Sequence, residues 1–224
     1  MKSLKESLLS DMDDVLKSGN KTIKDNIKQW LKENLLNGAS DCKNCKISRK
    51  ANKDGKYEVS VTGDIRFKRT ATSLTNGMFI WTEIDGSFCC DFNRNIKSLE
   101  GSPRAVEGNF SCYYCKNLKS LKGAPEKVGG SFNCQYCYGL KSLEGAPEKV
   151  GGSFNCDWCI KLTSLKGAPE KLKGNFSCNW CENLKSLEGV TKSVGRNFYC
   201  GNCGKKFKGD DVKKICDVKH KIIL

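Results

Sequence analysis

A period of 22 residues governs most of this 224-residue chain, from about Gly86 onward. Every unit places a phenylalanine in one register: Phe88, Phe110, Phe132, Phe154, Phe176 and Phe198. The four prolines of the chain also share a single position: Pro103, Pro125, Pro147 and Pro169. So strict a period predicts that each unit forms one coil of a solenoid, in which stacked neighbours bury a continuous core.

Each unit contains one strand-like segment and one turn signal. The Phe and the first Cys of a unit flank a single residue, as in a short strand with one buried face. Gly and Pro reverse the chain after the following Leu pair. The remaining residues leave little room for a helix, so we expect extended or polyproline-like backbone on the return side of the coil.

The frame F-x-C-x-x-C/N-x-x-L-x-S-L resembles the leucine-rich repeat, with Phe and Cys in place of two leucines. The resemblance covers roughly residues 86–209. The sequence pattern SLxGAPEKVGGSFxC is similar to that of leucine-rich-repeat proteins encoded by tailed bacteriophages and gut-bacterial mobile elements. It implies an α+β repeat protein: a short right-handed solenoid of the compact bacterial type, with a parallel β-sheet on its concave face. It also implies a phage context and a place in the bacterial host cytoplasm.

The sequence divides into four segments. We predict a helical N-terminal cap over 1–40, a β-hairpin with a divergent first turn over 41–85, the leucine-rich repeats over 86–209 and a C-terminal cap over 210–224. Such caps shield the ends of a repeat array from water. In the last segment, GDDVKKICDV predicts a short helix and KHKIIL a final strand.

The first 85 residues carry local signals for these elements. Apolar residues at helical spacing predict two helices within 1–37. The first has a capping box at Ser3 and Glu6 and ends at Gly19, and the second begins at Thr22 and ends before Gly38. The NKDG segment between CKISRK and KYEVSVT predicts a hairpin.

Twelve of the 15 cysteines lie in the repeats. One column lies at an inward strand position, and a second occupies the turn, where Asn93 is its first member. An Asn or Cys at this position of the resembled frame is a ladder residue, whose side chain hydrogen-bonds to backbone groups in the turn. We therefore predict buried, reduced thiols and no cofactor, with these ladder residues: Asn93, Cys115, Cys137, Cys159, Cys181 and Cys203.

Zinc binding and disulfide formation remain alternatives for the cysteines, because C-x-x-C spacing taken without its register is typical of zinc sites. The candidate metal ligands are Cys42, Cys45, Cys200, Cys203 and Cys216. Stacked parallel strands are poorly suited to disulfide geometry.

An aromatic residue stands between the two Cys positions of five successive units: Phe92, Tyr114, Tyr136, Trp158 and Trp180. Five exposed aromatics predict a binding surface, since Tyr and Trp are enriched in interface hot spots. The preceding residues are the second part of this predicted partner-binding site: Tyr113, Gln135, Asp157 and Asn179. Mutual packing of the rings, as a stabilising ladder, is the structural alternative.

Charge and composition limit the classes of function that the chain can have. The net charge of +14 favours an acidic partner, although the lysines are interleaved with glutamates as on an ordinary solvated face. With one histidine, His220, and no phosphate-binding glycine loop, the sequence predicts no enzyme. We also expect neither a membrane-spanning stretch nor a signal peptide.

We therefore expect a non-catalytic protein-binding solenoid, a phage-encoded factor that binds or occludes a host protein through its aromatic column. The alternatives are a nucleic-acid-binding module, since basic surroundings and stacked rings hold single strands, and a structural zinc protein.

Overall fold

The computed structural model describes residues 4–36 and 45–224. Its main part is a parallel β-solenoid in which each repeat contributes two very short strands, one to each of two sheets. The first sheet has nine strands: β1 (Cys45–Ile47), β2 (Tyr57–Val61), β4 (Phe79–Ile84), β6 (Ala105–Val106), β8 (Lys127–Val128), β10 (Lys149–Val150), β12 (Lys171–Leu172), β14 (Ser193–Val194) and β16 (Asp217–Val218). The second has eight: β3 (Ile65–Arg66), β5 (Phe88–Cys89), β7 (Phe110–Ser111), β9 (Phe132–Asn133), β11 (Phe154–Asn155), β13 (Phe176–Ser177), β15 (Phe198–Tyr199) and β17 (Ile222–Ile223).

Strand register follows the sequence period. Phe154 pairs with Phe132 on one side and Phe176 on the other, so equivalent residues of neighbouring coils lie side by side. From Phe88 to Phe198 the phenylalanine rings form one buried stack, with centroids 5.2–5.8 Å apart. Together with the first cysteines and the leucine pairs they fill the core, as the alternation in the strand predicts.

The return side is extended, which is one of the two backbone forms that the sequence predicts. Its extended segments are the strands of the first sheet, such as β8 and β10, which pair in parallel. Coil stacking makes this pairing possible, because it lets backbone groups of successive returns bond to one another; Gly151 donates to the carbonyl of Val128 at 2.8 Å.

The N-terminal segment forms one helix, α1 (Leu4–Asn34), and the prediction of two helices is wrong. Gly19 lies within α1 because an interior glycine costs only about 1 kcal/mol relative to alanine. Ile27, Leu31 and Leu35 of this segment are fully buried. Trp30 packs edge-on against Phe67 and Phe79, with centroids 6.2 and 5.4 Å away. The predicted capping residue Ser3 and the helix end at Gly38 lie outside the described residues.

The predicted hairpin is present. Strand β1 pairs antiparallel with β2, and the turn is closed by Asn52, whose side-chain oxygen accepts the backbone N–H groups of Asp54 and Lys56. Strand β4 then enters the first sheet, and Leu74 of the divergent turn is buried. At the other end, the predicted helix and strand are α2 (Gly209–Lys213) and β17.

Exposed ion pairs join consecutive coils along their outer surface. Lys127 pairs with Glu107 at 3.2 Å, and Lys192 with Glu170 at 2.7 Å. Such exposed pairs contribute little to stability because water screens them. The interleaved charges therefore behave as the solvated face that the sequence suggests. Among the described residues no helix combines the length and apolarity that crossing a bilayer requires.

Candidate functional site

The turn after each second-sheet strand has an unusual backbone. Five of its residues adopt the left-handed conformation with φ of 58–60°, and they are the five aromatics of the predicted column: Phe92, Tyr114, Tyr136, Trp158 and Trp180. In the next coil the equivalent residue is Asn202, with φ of 55°. The conformation costs an L-residue roughly 1–2 kcal/mol, and Asn tolerates it better than most side chains.

Hydrogen bonds between coils hold this backbone in place. The N–H of Tyr114 donates to the carbonyl of Gln135 at 2.8 Å, and the N–H of Trp158 donates to that of Asn179 at 2.8 Å. The same bond recurs at the other aromatic positions. A left-handed residue directs its side chain away from the path of the strand. The backbone of the turn thus sets the direction in which each side chain leaves the chain.

The five rings, which we call the aromatic column, contact one another in succession. Trp158 and Trp180 stack with centroids 4.7 Å apart and planes 5° from parallel, and Tyr136 stacks on Trp158 at 5.6 Å and 9°. Phe92, Tyr114 and Tyr136 make tilted contacts at 5.5 and 5.9 Å. The stabilising contacts expected of a packed ladder are therefore present.

Packing does not bury the aromatic column. Phe92 and Trp180, at its two ends, are each 40% exposed, and the three rings between them are half-buried. Apolar surface that is held rigid and partly open to water is the common property of interface anchors. The rings are thus packed on one another and still partly open to water, so they remain accessible to a partner.

Basic side chains cover only one half of the aromatic column. The guanidinium of Arg69 lies 4.7 Å from the centroid of the Phe92 ring, and the ammonium of Lys116 lies 4.3 Å from that of Tyr114. A hydrogen bond from Lys116 lowers the pKa of the Tyr114 phenol. Within the described residues, no cation lies over Trp158 or Trp180. Sequence reasoning missed Arg69, because it precedes the repeats and nothing local places it against Phe92.

The polar and aromatic residues that precede the rings, the second part of the predicted site, mainly form hydrogen bonds and ring contacts within the turns. A carboxylate oxygen of Asp157 accepts hydrogen bonds from the Ser177 hydroxyl at 2.6 Å and the Asn179 N–H at 2.7 Å. The Gln135 amide donates to the other oxygen at 3.4 Å. Tyr113 packs edge-on against Phe92 and Tyr136. All four residues, Tyr113, Gln135, Asp157 and Asn179, are half-buried beside the aromatic column.

The ladder residues make the backbone contacts that their assignment requires. Cys137 donates its S–H to the carbonyl of Cys112 at 3.2 Å. Asn93 donates to the carbonyls of Lys68 and Ala71 and accepts the N–H groups of Asn95 and Ile96. The equivalent hydrogen bonds from thiol to carbonyl are 3.1–3.3 Å long in the other coils, where the donors are Cys115, Cys159, Cys181 and Cys203.

The candidate metal ligands are only partly brought together. Cys42 lies outside the described residues, Cys45 lies in β1, and Cys216 is buried beside α2. Cys200 and Cys203 lie close to Cys178, which the sequence analysis did not include, and the three sulfur atoms are all within 4.8 Å of one another. Hydrogen bonds from Cys178 and Cys200 lower the pKa of Cys203.

These features define the chain as a parallel β-solenoid with an internal thiol ladder and an external aromatic column. No family model, no curated protein and no solved structure matches the chain. The class therefore rests on strand pairing, register and burial.

Proposed function

We propose that this chain is a non-catalytic binding protein and that the aromatic column is its contact surface for a protein partner. The observation that carries the proposal is the row of five stacked rings, partly open to water, that the left-handed turns hold at the surface. Strained backbone is retained where the surrounding structure fixes it, and such residues cluster at functional sites. Here it holds large rings at the surface in one arrangement, so little conformational entropy is lost on binding.

The centre of the contact is the pair Trp158 and Trp180. These indoles have no basic side chain over them among the described residues, whereas Arg69 and Lys116 already lie on Phe92 and Tyr114. Trp180 is 40% exposed. Tryptophan is the residue type most enriched among interface hot spots, where one truncation costs 2 kcal/mol or more.

The net charge of +14 supports an acidic partner, because opposite charge accelerates association. The repeat wording, similar to that of leucine-rich-repeat proteins of tailed bacteriophages, supports a bacterial host protein as the target and the host cytoplasm as the place of binding. Binding would occlude that protein or bridge it to another.

The test is affinity capture from bacterial lysate with three forms of the full chain: wild type, Trp158→Ala/Trp180→Ala and the control Lys149→Ala/Lys171→Ala on the first sheet. We expect the wild type and the lysine variant to retain the same partner. The tryptophan variant should bind it at least about 100-fold more weakly in calorimetry. Equal affinities of a correctly folded tryptophan variant and the wild type would contradict the proposal.

Single-stranded nucleic acid is the second candidate ligand, because parallel rings beside Arg69 and Lys116 offer stacking and charge together. The salt dependence of the affinity distinguishes a nucleic-acid ligand from a protein partner. Oligonucleotide affinity, measured by fluorescence anisotropy, should fall steeply with rising salt, whereas contact centred on the indoles should change little.

A further inference from the structure

The last ladder position differs from those before it. The ladder thiols Cys115, Cys137, Cys159 and Cys181 are buried, whereas Cys203 is half-buried. The sulfur of Cys203 lies 3.2 Å from the carbonyl oxygen of Cys178 and 3.8 Å from that of Gly201. It therefore has a contact with its own turn as well as the usual contact with the preceding coil.

Two further thiols face this sulfur. Cys178 belongs to the preceding coil and is fully buried, and Cys200 follows β15 and is 3% exposed. All three sulfur atoms lie within 4.8 Å of one another, and among the described residues this is the one group of three or more cysteine, histidine or acidic side chains with that spacing. The coil stacking itself creates the cluster, since it aligns Cys200 beside Cys178.

The spacing suits a metal ion. A Zn–S bond is about 2.3 Å long, which places two sulfurs of a tetrahedral site about 3.8 Å apart. The three thiols would need to approach one another by at most about 1 Å from their present separations. An adjustment of this size is within the range of side-chain movements, and Cys203 is half-buried.

We propose that Cys178, Cys200 and Cys203 bind one thiophilic metal ion, Zn(II) in the first place, with a water molecule as its fourth ligand. Three protein ligands and an open position form a complete zinc coordination sphere. Cys203 provides the entry side because it reaches solvent, while the other two thiols close the site from within. The sequence alternative that pairs Cys200 and Cys203 with Cys216 is replaced by Cys178, since Cys216 is not in the cluster.

The ladder itself supplies a matched pair of variants. Asn93 shows that an asparagine fulfils the ladder role in this chain. Cys203→Asn should therefore keep the coil intact while removing a metal ligand, and Cys137→Asn makes the same exchange within the ladder and away from the cluster. Cys45→Ser tests the separate C-x-x-C near the N-terminus.

The experiment titrates the reduced, metal-free full chain with Cd(II), followed by the ultraviolet charge-transfer absorption of thiolate-bound cadmium, with Zn(II) as competitor. Wild type, Cys137→Asn and Cys45→Ser should each bind one ion per chain. Cys203→Asn should bind at least about 100-fold more weakly, since even changes that only support a ligand cost 10–100-fold. Zn(II) should also raise the unfolding temperature of wild type and Cys137→Asn but not of Cys203→Asn.

Three results would overturn the proposal: no ion bound by the wild type, unchanged affinity in Cys203→Asn, or loss of the ion in Cys45→Ser. Circular dichroism of Cys203→Asn shows whether its fold is kept. If that variant unfolds, Cys200→Ser replaces it in the same titration, and binding equal to that of the wild type would count against the site.

Discussion

Single residues in the turns of this solenoid work against their own conformational preferences. Bulky aromatic side chains disfavour the left-handed region, yet Tyr136 has φ of 58° and Trp158 has φ of 60°. Their rings gain stacking contacts, and their N–H groups gain bonds to the next coil. Backbone strain and side-chain packing therefore oppose each other at the same position.

Because strain and packing oppose each other at Tyr136, we expect the glycine variant to be more stable than the alanine variant there, which is the reverse of the usual order. Both Tyr136→Gly and Tyr136→Ala remove the ring, but only glycine relieves the strain, so the glycine variant should be more stable by about 1 kcal/mol. Urea unfolding of both variants measures the difference. At Lys141, an exposed residue of the same coil whose φ is not positive, alanine should be the more stable of the two. An alanine variant as stable as the glycine variant at Tyr136 would show that the turn is unstrained.

At the scale of elements, each coil depends on the glycine that lies two residues after the second leucine of its leucine pair. Gly101, Gly123, Gly145, Gly167 and Gly189 share one register and have φ of 76–93°. A Cβ atom on Gly145 would lie 2.6 Å from the backbone nitrogen of Lys122 in the preceding coil. The close approach of successive coils therefore adds a steric requirement to the conformational one.

We predict that Gly145→Ala lowers the free energy of unfolding by about 3 kcal/mol or more, because strain and overpacking act together. Chemical denaturation measures the loss. Gly209→Ala, where a Cβ meets nothing within 4 Å, is the control and should change the stability by less than about 0.5 kcal/mol. Similar losses in the two variants would contradict this account of the coil contact.

The elements also show how far the sequence leads. The Phe column and the first Cys column could be placed inward because their alternation is a direct record of burial. The first sheet could not be predicted, since the pairing of Lys127 and Val128 depends on the neighbouring coil and not on local pattern. The left-handed turns left one weak signal, Asn202, a residue type that tolerates this conformation at the register of the rings.

At the scale of the whole molecule, each coil of a solenoid is stabilised mainly by its contacts with the neighbouring coils. Leu31 of α1 is fully buried, and Leu36 donates its N–H to the carbonyl of Arg66 at 2.8 Å. We propose that α1 protects the N-terminal end of the array in this way.

Leu31→Ala should therefore act on one end of the molecule first. The substitution is expected to cost about 2–5 kcal/mol and to raise the hydrogen-exchange rates of β2 and β4, with much smaller changes in β11 and β13. Mass spectrometry of peptic fragments resolves these regions. Lys28→Ala, on the exposed side of the helix, should leave the exchange pattern as it is. Uniform acceleration along the whole chain would mean that the solenoid unfolds as one unit.

The buried thiol columns also determine how the molecule responds to oxidants and alkylating reagents. Burial raises the pKa of Cys134 and Cys156, and the attacking species of a cysteine is its thiolate. Most cysteines in the described part of the chain are buried, so reagents reach them poorly although no disulfide joins them. A chain this rich in cysteine should tolerate peroxide along its interior and react first at its half-buried thiols, among which Cys203 has a lowered pKa.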